Sequence, residues 1–146
     1  LSKIKNVVAA YSKKLRTIAI FGSSVYNPVK ARDLDILIIV DKLLDVKEKT
    51  NLEIEILKNL KDFQAKTLID IIVLDEESFK ENLEPGGLAS GLVAGYKILY
   101  DEIRIESFIY EAAKKIANEK YVILKNRKKI DLSTIAKLKL KADHRT

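Results

Sequence analysis

The sequence predicts a mixed α/β domain, and two observations carry that expectation. Short apolar runs of strand length stand at "TIAIF" (17–21), "LDILIIV" (34–40) and "TLIDIIVL" (67–74), and the segments around them carry apolar residues at helical spacing. Strands alternating with helices imply helices packed on a sheet. With 146 residues, 47% of them hydrophobic and 33% charged, the chain suits one folded domain around one core.

The elements follow in order. Ile4, Val7, Val8, Tyr11 and Leu15 share one face of a helix expected from Leu1 to about Leu15. "TIAIF" reads as a short buried strand ended by Gly22, and a brief helix is expected from Ser23 to about Lys30, stopped by the turn at Asn27-Pro28. "LDILIIV" is too apolar to have a wet face. A long helix is expected from Asp41 to about Phe63, carrying Leu44, Leu52, Ile56 and Leu60, before the third strand. A short helix from Glu76 to Leu83, the small-residue segment "PGGLASGLVAG", a strand "YKILY" and a helix from about Asp101 to Lys125 come next. Gly87, Gly91 and Gly95 fall on one helix face, which suits close packing, with Gly95 ending the helix. A last helix would begin at Asp131 or Ser133.

Composition excludes several chemistries. There is no cysteine and one histidine, His144, so a disulfide framework, a thiolate or histidine-rich metal site and a cysteine nucleophile are ruled out. Any metal would sit on oxygen ligands. No unbroken apolar run is long enough to span a membrane, so a cytoplasmic protein with no membrane partner is expected. The net charge of +6 is unevenly placed: residues 112–146 carry eleven Lys and Arg against three acids, or +8, and residues 1–111 carry −2. Such a basic segment is either a solvated surface or a contact for RNA or DNA. Abundant Lys, Glu and Ile with a single Gln fits a thermophilic source.

The chemistry concentrates between residues 18 and 41. Two aspartates one residue apart, Asp33 and Asp35, open an apolar strand, where like charges repel and burial is costly. Side chains alternate along a strand, so both project from one face, about 7 Å apart at the backbone. That is a grip for a hard cation such as magnesium, which takes a few carboxylates and completes its shell with water and phosphate oxygens. The plain alternative is a pair of surface aspartates at a strand end. An EF-hand is excluded, because "DLDILIIV" lacks the glycine turn and distal glutamate. Gly22 and Ser23 stand where a strand gives way to a helix start, a place that offers backbone N–H groups and a positive dipole end to a phosphate. Asp70 lies inside "TLIDIIVL", where a carboxylate is costly unless paired, ion-bound or at a strand end. Three carboxylates can hold two cations, and Asp70 could then assist deprotonation of an incoming hydroxyl. Neither a G-x-x-x-x-G-K-[ST] loop nor a G-x-G-x-x-G fingerprint is present.

The combination of "FGSS", "RDLDILIIV", "LIDIIVL" and a later glycine before "ILY" resembles the minimal nucleotidyltransferases of the DNA polymerase beta superfamily, including those paired with HEPN-type partner proteins. The resemblance covers roughly residues 1–104 and implies a nucleotidyltransferase fold, a small mixed sheet flanked by helices, with residues 105–146 as a basic C-terminal helical extension packed on the same domain. It implies Gly22, Ser23 and Ser24 at the triphosphate, Asp33 and Asp35 on two magnesium ions, and Asp70 as third ligand and candidate base. The implied reaction transfers a nucleoside monophosphate from a nucleoside triphosphate, ATP foremost, to a hydroxyl and releases pyrophosphate. The acceptor is open between RNA ends, a protein hydroxyl and a small molecule. Many members continue Gly-Ser with Ala-Arg-Gly, whereas this chain has Ser24, Val25, Tyr26 and Asn27. Lys30 and Arg32 either replace that missing basic contact or offset the aspartates from outside. Two other readings compete: a binding module of the same fold without turnover, and a nucleic-acid-binding domain working through the basic tail. The helix from Asp101 onward would wall the cleft or form a homodimer face.

Overall fold

The structure is a computed structural model and describes residues 1–22, 33–60, 68–83, 88–118, 122–125 and 128–144. The helices are α1 (Ser2–Ala10), α2 (Val46–Asn59), α3 (Glu76–Glu81), α4 (Leu88–Ala94), α5 (Ile105–Asn118) and α6 (Leu132–His144). The strands are β1 (Leu15–Phe21), β2 (Asp33–Val40), β3 (Leu68–Asp75), β4 (Tyr96–Asp101), β5 (Val122–Lys125) and β6 (Lys128–Asp131). A mixed four-stranded sheet runs in the order β3-β2-β1-β4, with β2 and β3 parallel and the other two pairings antiparallel. The expected mixed sheet flanked by helices is thus present.

Apolar alternation on β2 builds two core clusters, one on each face of the sheet. Ile36, Ile38 and Val40 join Ile4, Val7 and Val8 of α1 and Leu52 and Ile56 of α2 on one face. Leu37 and Ile39 join Phe21, Leu74, Phe79, Leu92, Ile105, Ile109, Ile116 and Ala136 on the other. Side chains of α5 and α6 therefore share a cluster with the strands. Burial on both faces is why β2 reads as an unbroken apolar run. No helix among the described residues is long and apolar enough to cross a membrane.

Local chemistry moves several boundaries. The first helix stops at Ala10 rather than near Leu15, because Ser12 takes a left-handed conformation (φ 58°). Its N–H donates to the Ala9 carbonyl, and the Lys13 N–H donates to that of Val8. This is a Schellman closure with serine where glycine is usual. The second helix begins only at Val46, capped by Asp45, whose side chain accepts from the Glu48 N–H, and Leu44 is left exposed before it. The helix expected to run from Asp101 to Lys125 is confined to Ile105–Asn118; Val122–Lys125 instead pairs with Lys128–Asp131 as an antiparallel hairpin. The extension is therefore not wholly helical. In α4, Gly91 allows a close approach to the sheet: an added Cβ would stand 3.0 Å from the Phe21 ring. Gly87 and the brief helix expected from Ser23 lie outside the described residues.

Asp75 closes β3 and caps α3, its carboxylate accepting from the N–H groups of Ser78 (2.8 Å) and Leu43 (3.2 Å). Burial pushes this carboxyl up, but hydrogen bonds from the Ser78 N–H and hydroxyl and from Leu43 outweigh it and hold it below its ordinary range. A depressed carboxyl stabilises the fold above its unfolded pKa of about 3.9, and that contribution is lost as pH falls through the lower folded value. Asparagine also caps helices, so Asp75→Asn should cost only the charge-dependent share, about 0.3–1 kcal/mol near neutrality, with the gap to wild type closing below about pH 4, as urea unfolding across that range will read.

Candidate active site

The strand pairings bring the chemistry to one end of the sheet. Asp35 of β2 is in register with Asp70 of the parallel neighbour β3 and with Phe21 of the antiparallel neighbour β1, and Phe21 is in register with Tyr96 of β4. Residues directly opposite one another project from the same face, so Asp70, Asp35, Phe21 and Tyr96 form one row across all four strands, spaced by about 4.8 Å. Asp33, two residues before Asp35, projects from that face too. It is the face on which Phe21, Leu37 and Ile39 pack against α4 and α5, but the acids lie beyond the helical cover: Asp33 and Asp70 are exposed and Asp35 is half-buried.

The cost of burying a carboxylate in an apolar run does not arise, because Asp70 is the third residue of β3 and its side chain meets solvent. What singles it out is its register opposite Asp35. Among the described residues no three carboxylate or histidine side chains are gathered closely enough to hold a metal ion. The donor set still fits magnesium in its usual manner, with one or two carboxylates, waters and substrate phosphates completing the shell.

Gly22 follows β1 directly at this end, buried and with φ 81°, a conformation that side-chain-bearing residues rarely adopt. Its N–H donates to the Gly95 carbonyl at 3.3 Å, which ties the turn to the start of β4. The Gly22 amide is thus engaged, and what this residue offers a ligand is close approach of backbone. Ser23, Ser24, Lys30 and Arg32 lie outside the described residues.

At the far end of the row, the Tyr96 hydroxyl accepts a hydrogen bond from Lys139 Nζ of α6 at 3.0 Å, and the ammonium lies 4.5 Å from the ring centre. Neither residue belongs to a motif of the sequence. No local signal links two residues 43 positions apart.

A mixed sheet of this order, with Asp-x-Asp opening one strand, a facing Asp on its parallel neighbour and a glycine turn after the first strand, has the fold of the minimal nucleotidyltransferases. Solved structures share it. A chain of a toxin–antitoxin structure with AMP-PNP is 20% identical, with a TM-score of 0.50 and the match covering 77% of this chain and 83% of that one. A chain of a mutant toxin–antitoxin MntA-HpeT structure is 21% identical, with a TM-score of 0.51 and coverage of 77% and 82%. The likeness is one of fold. No family model and no curated protein matches the chain.

Proposed function

We propose that the chain is a nucleotidyltransferase that moves a nucleoside monophosphate from a nucleoside triphosphate, ATP foremost, to a hydroxyl. The observation that carries this reading is the register of Asp35 with Asp70, with Asp33 on the same face, beside the Gly22 turn. Asp33 and Asp35 would hold magnesium, with Asp70 as a third ligand on the acceptor side. Bound there, magnesium supplies charge neutralisation for the triphosphate and its leaving group. Gly22 lets backbone approach the phosphates, and Ser23, Ser24, Lys30 and Arg32 are the further contacts that the motif resemblance implies. Asp70 takes the proton of the acceptor hydroxyl. The acceptor oxygen bonds to the α-phosphorus, the bond to the bridging oxygen breaks, and pyrophosphate departs.

Residues 1–104 would carry this site, with 105–146 as the added basic segment. Toxin–antitoxin structures share the fold. Together with the motif resemblance, that makes a HEPN-type protein the first partner to test as acceptor, with RNA next. A binding module without turnover is the competing reading, favoured by the three acids not being gathered in one cluster. Asp70→Asn separates the two. It should leave the ATP dissociation constant within about threefold while lowering pyrophosphate release by about 100-fold or more, the contribution typical of a general base. The assay is pyrophosphate released from ATP with protein, RNA and small-molecule hydroxyl acceptors. Turnover unaffected by this change would refute the role of Asp70.

A further inference from the structure

Lys139 is a half-buried ammonium whose described polar partner is a neutral hydroxyl, that of Tyr96. Its place beside Tyr96, at the end of the row that carries the acids, calls for a reason. The row across the sheet gives one. Read from β3 to β4 it runs Asp70, Asp35, Phe21 with the Gly22 turn behind it, and Tyr96 with Lys139.

Phosphates held both by the cation grip on β2 and by the glycine turn after β1 must extend from β2 toward β4. Tyr96 stands two strand spacings from Asp35, about 10 Å at the backbone, a span that a triphosphate and a lysine side chain can bridge together. The acceptor hydroxyl would then approach from the opposite side, where Asp70 lies. We infer that Lys139, positioned by the Tyr96 hydroxyl, binds the terminal phosphates of the nucleoside triphosphate and stabilises the departing pyrophosphate. This rests on the nucleotidyltransferase reading above and adds a residue from the C-terminal segment to its site. It also supplies a basic contact where the Gly-Ser turn continues as Ser24-Val25 rather than with an arginine.

The test is calorimetric titration of ATP, ADP and AMP with magnesium into the full chain, its Lys139→Gln and Lys139→Arg variants, and Tyr96→Phe. Lys139→Gln should weaken ATP roughly tenfold or more, weaken ADP less and leave AMP unchanged, because one charge-assisted contact to the far phosphate is removed. Lys139→Arg should retain most ATP affinity. Tyr96→Phe, which deletes one hydroxyl, should show the same ATP-selective loss at roughly threefold and serves if Lys139→Gln does not fold. Equal losses for ATP and AMP, or none for either, would overturn the assignment of Lys139 while leaving the nucleotidyltransferase reading in place. If the wild-type chain binds no nucleotide, that reading fails and this assignment falls with it.

Discussion

Asp35→Asn is expected to reduce pyrophosphate release by about a thousandfold or more, because a charge-neutralising ligand supplies several kcal/mol and each 1.36 kcal/mol is tenfold in rate. Asp35 is the acid at the centre of the row, flanked by Asp70 on one strand and Phe21 on the other. No other carboxylate stands between the second strand and the glycine turn in that row. Asparagine keeps its shape and removes its charge, so the fold should lose about 1 kcal/mol or less. The change is read by pyrophosphate release from ATP, with urea unfolding alongside. Loss of turnover together with a large loss of stability would mean that Asp35 acts through the fold.

The largest stability effect away from the core is expected at Asp101. Its carboxylate accepts from the Thr17 hydroxyl at 3.0 Å, from the Ile103 N–H at 3.1 Å and from the Ile105 N–H at 3.0 Å. Thr17 is fully buried, and the two amides belong to the turn that starts α5. Asp101→Ala removes a helix cap worth about 1 kcal/mol and strands a buried hydroxyl at a further cost of about 1–3 kcal/mol, giving about 2–4 kcal/mol in all. In a Thr17→Val background the hydroxyl is already gone, so Asp101→Ala should then cost only the cap share. Denaturant unfolding of the four proteins in this cycle measures the coupling. Additive losses would show that the Thr17 contact contributes nothing.

Much of this was legible from the chain because physical period and burial leave marks in composition. The second strand is buried on both faces, and its run of isoleucine, leucine and valine says so. Period two alone puts Asp33 and Asp35 on one face. The facing of Asp70 and Asp35 was not legible: it depends on a parallel register that a one-residue slip would reverse, and the long-range packing of α2 over the second and third strands sets that register. The end of the first helix was hidden because Ser12 takes a conformation usually left to glycine. The hairpin from Val122 to Asp131 was hidden because no glycine or proline stands between Asn118 and Val122 to mark the end of the helix. Lys139 meets Tyr96 only through tertiary packing of the last helix.

The proposed function stands or falls with a magnesium-dependent triphosphate site built on the acids of the second strand. Calorimetric titration of ATP into the full chain and into Asp33→Asn/Asp35→Asn, with and without magnesium, decides whether that site exists. The expected result is binding that requires magnesium in the wild type and is absent from the double variant. ATP binding of equal strength in both proteins, or no binding to the wild type with magnesium present, would contradict it.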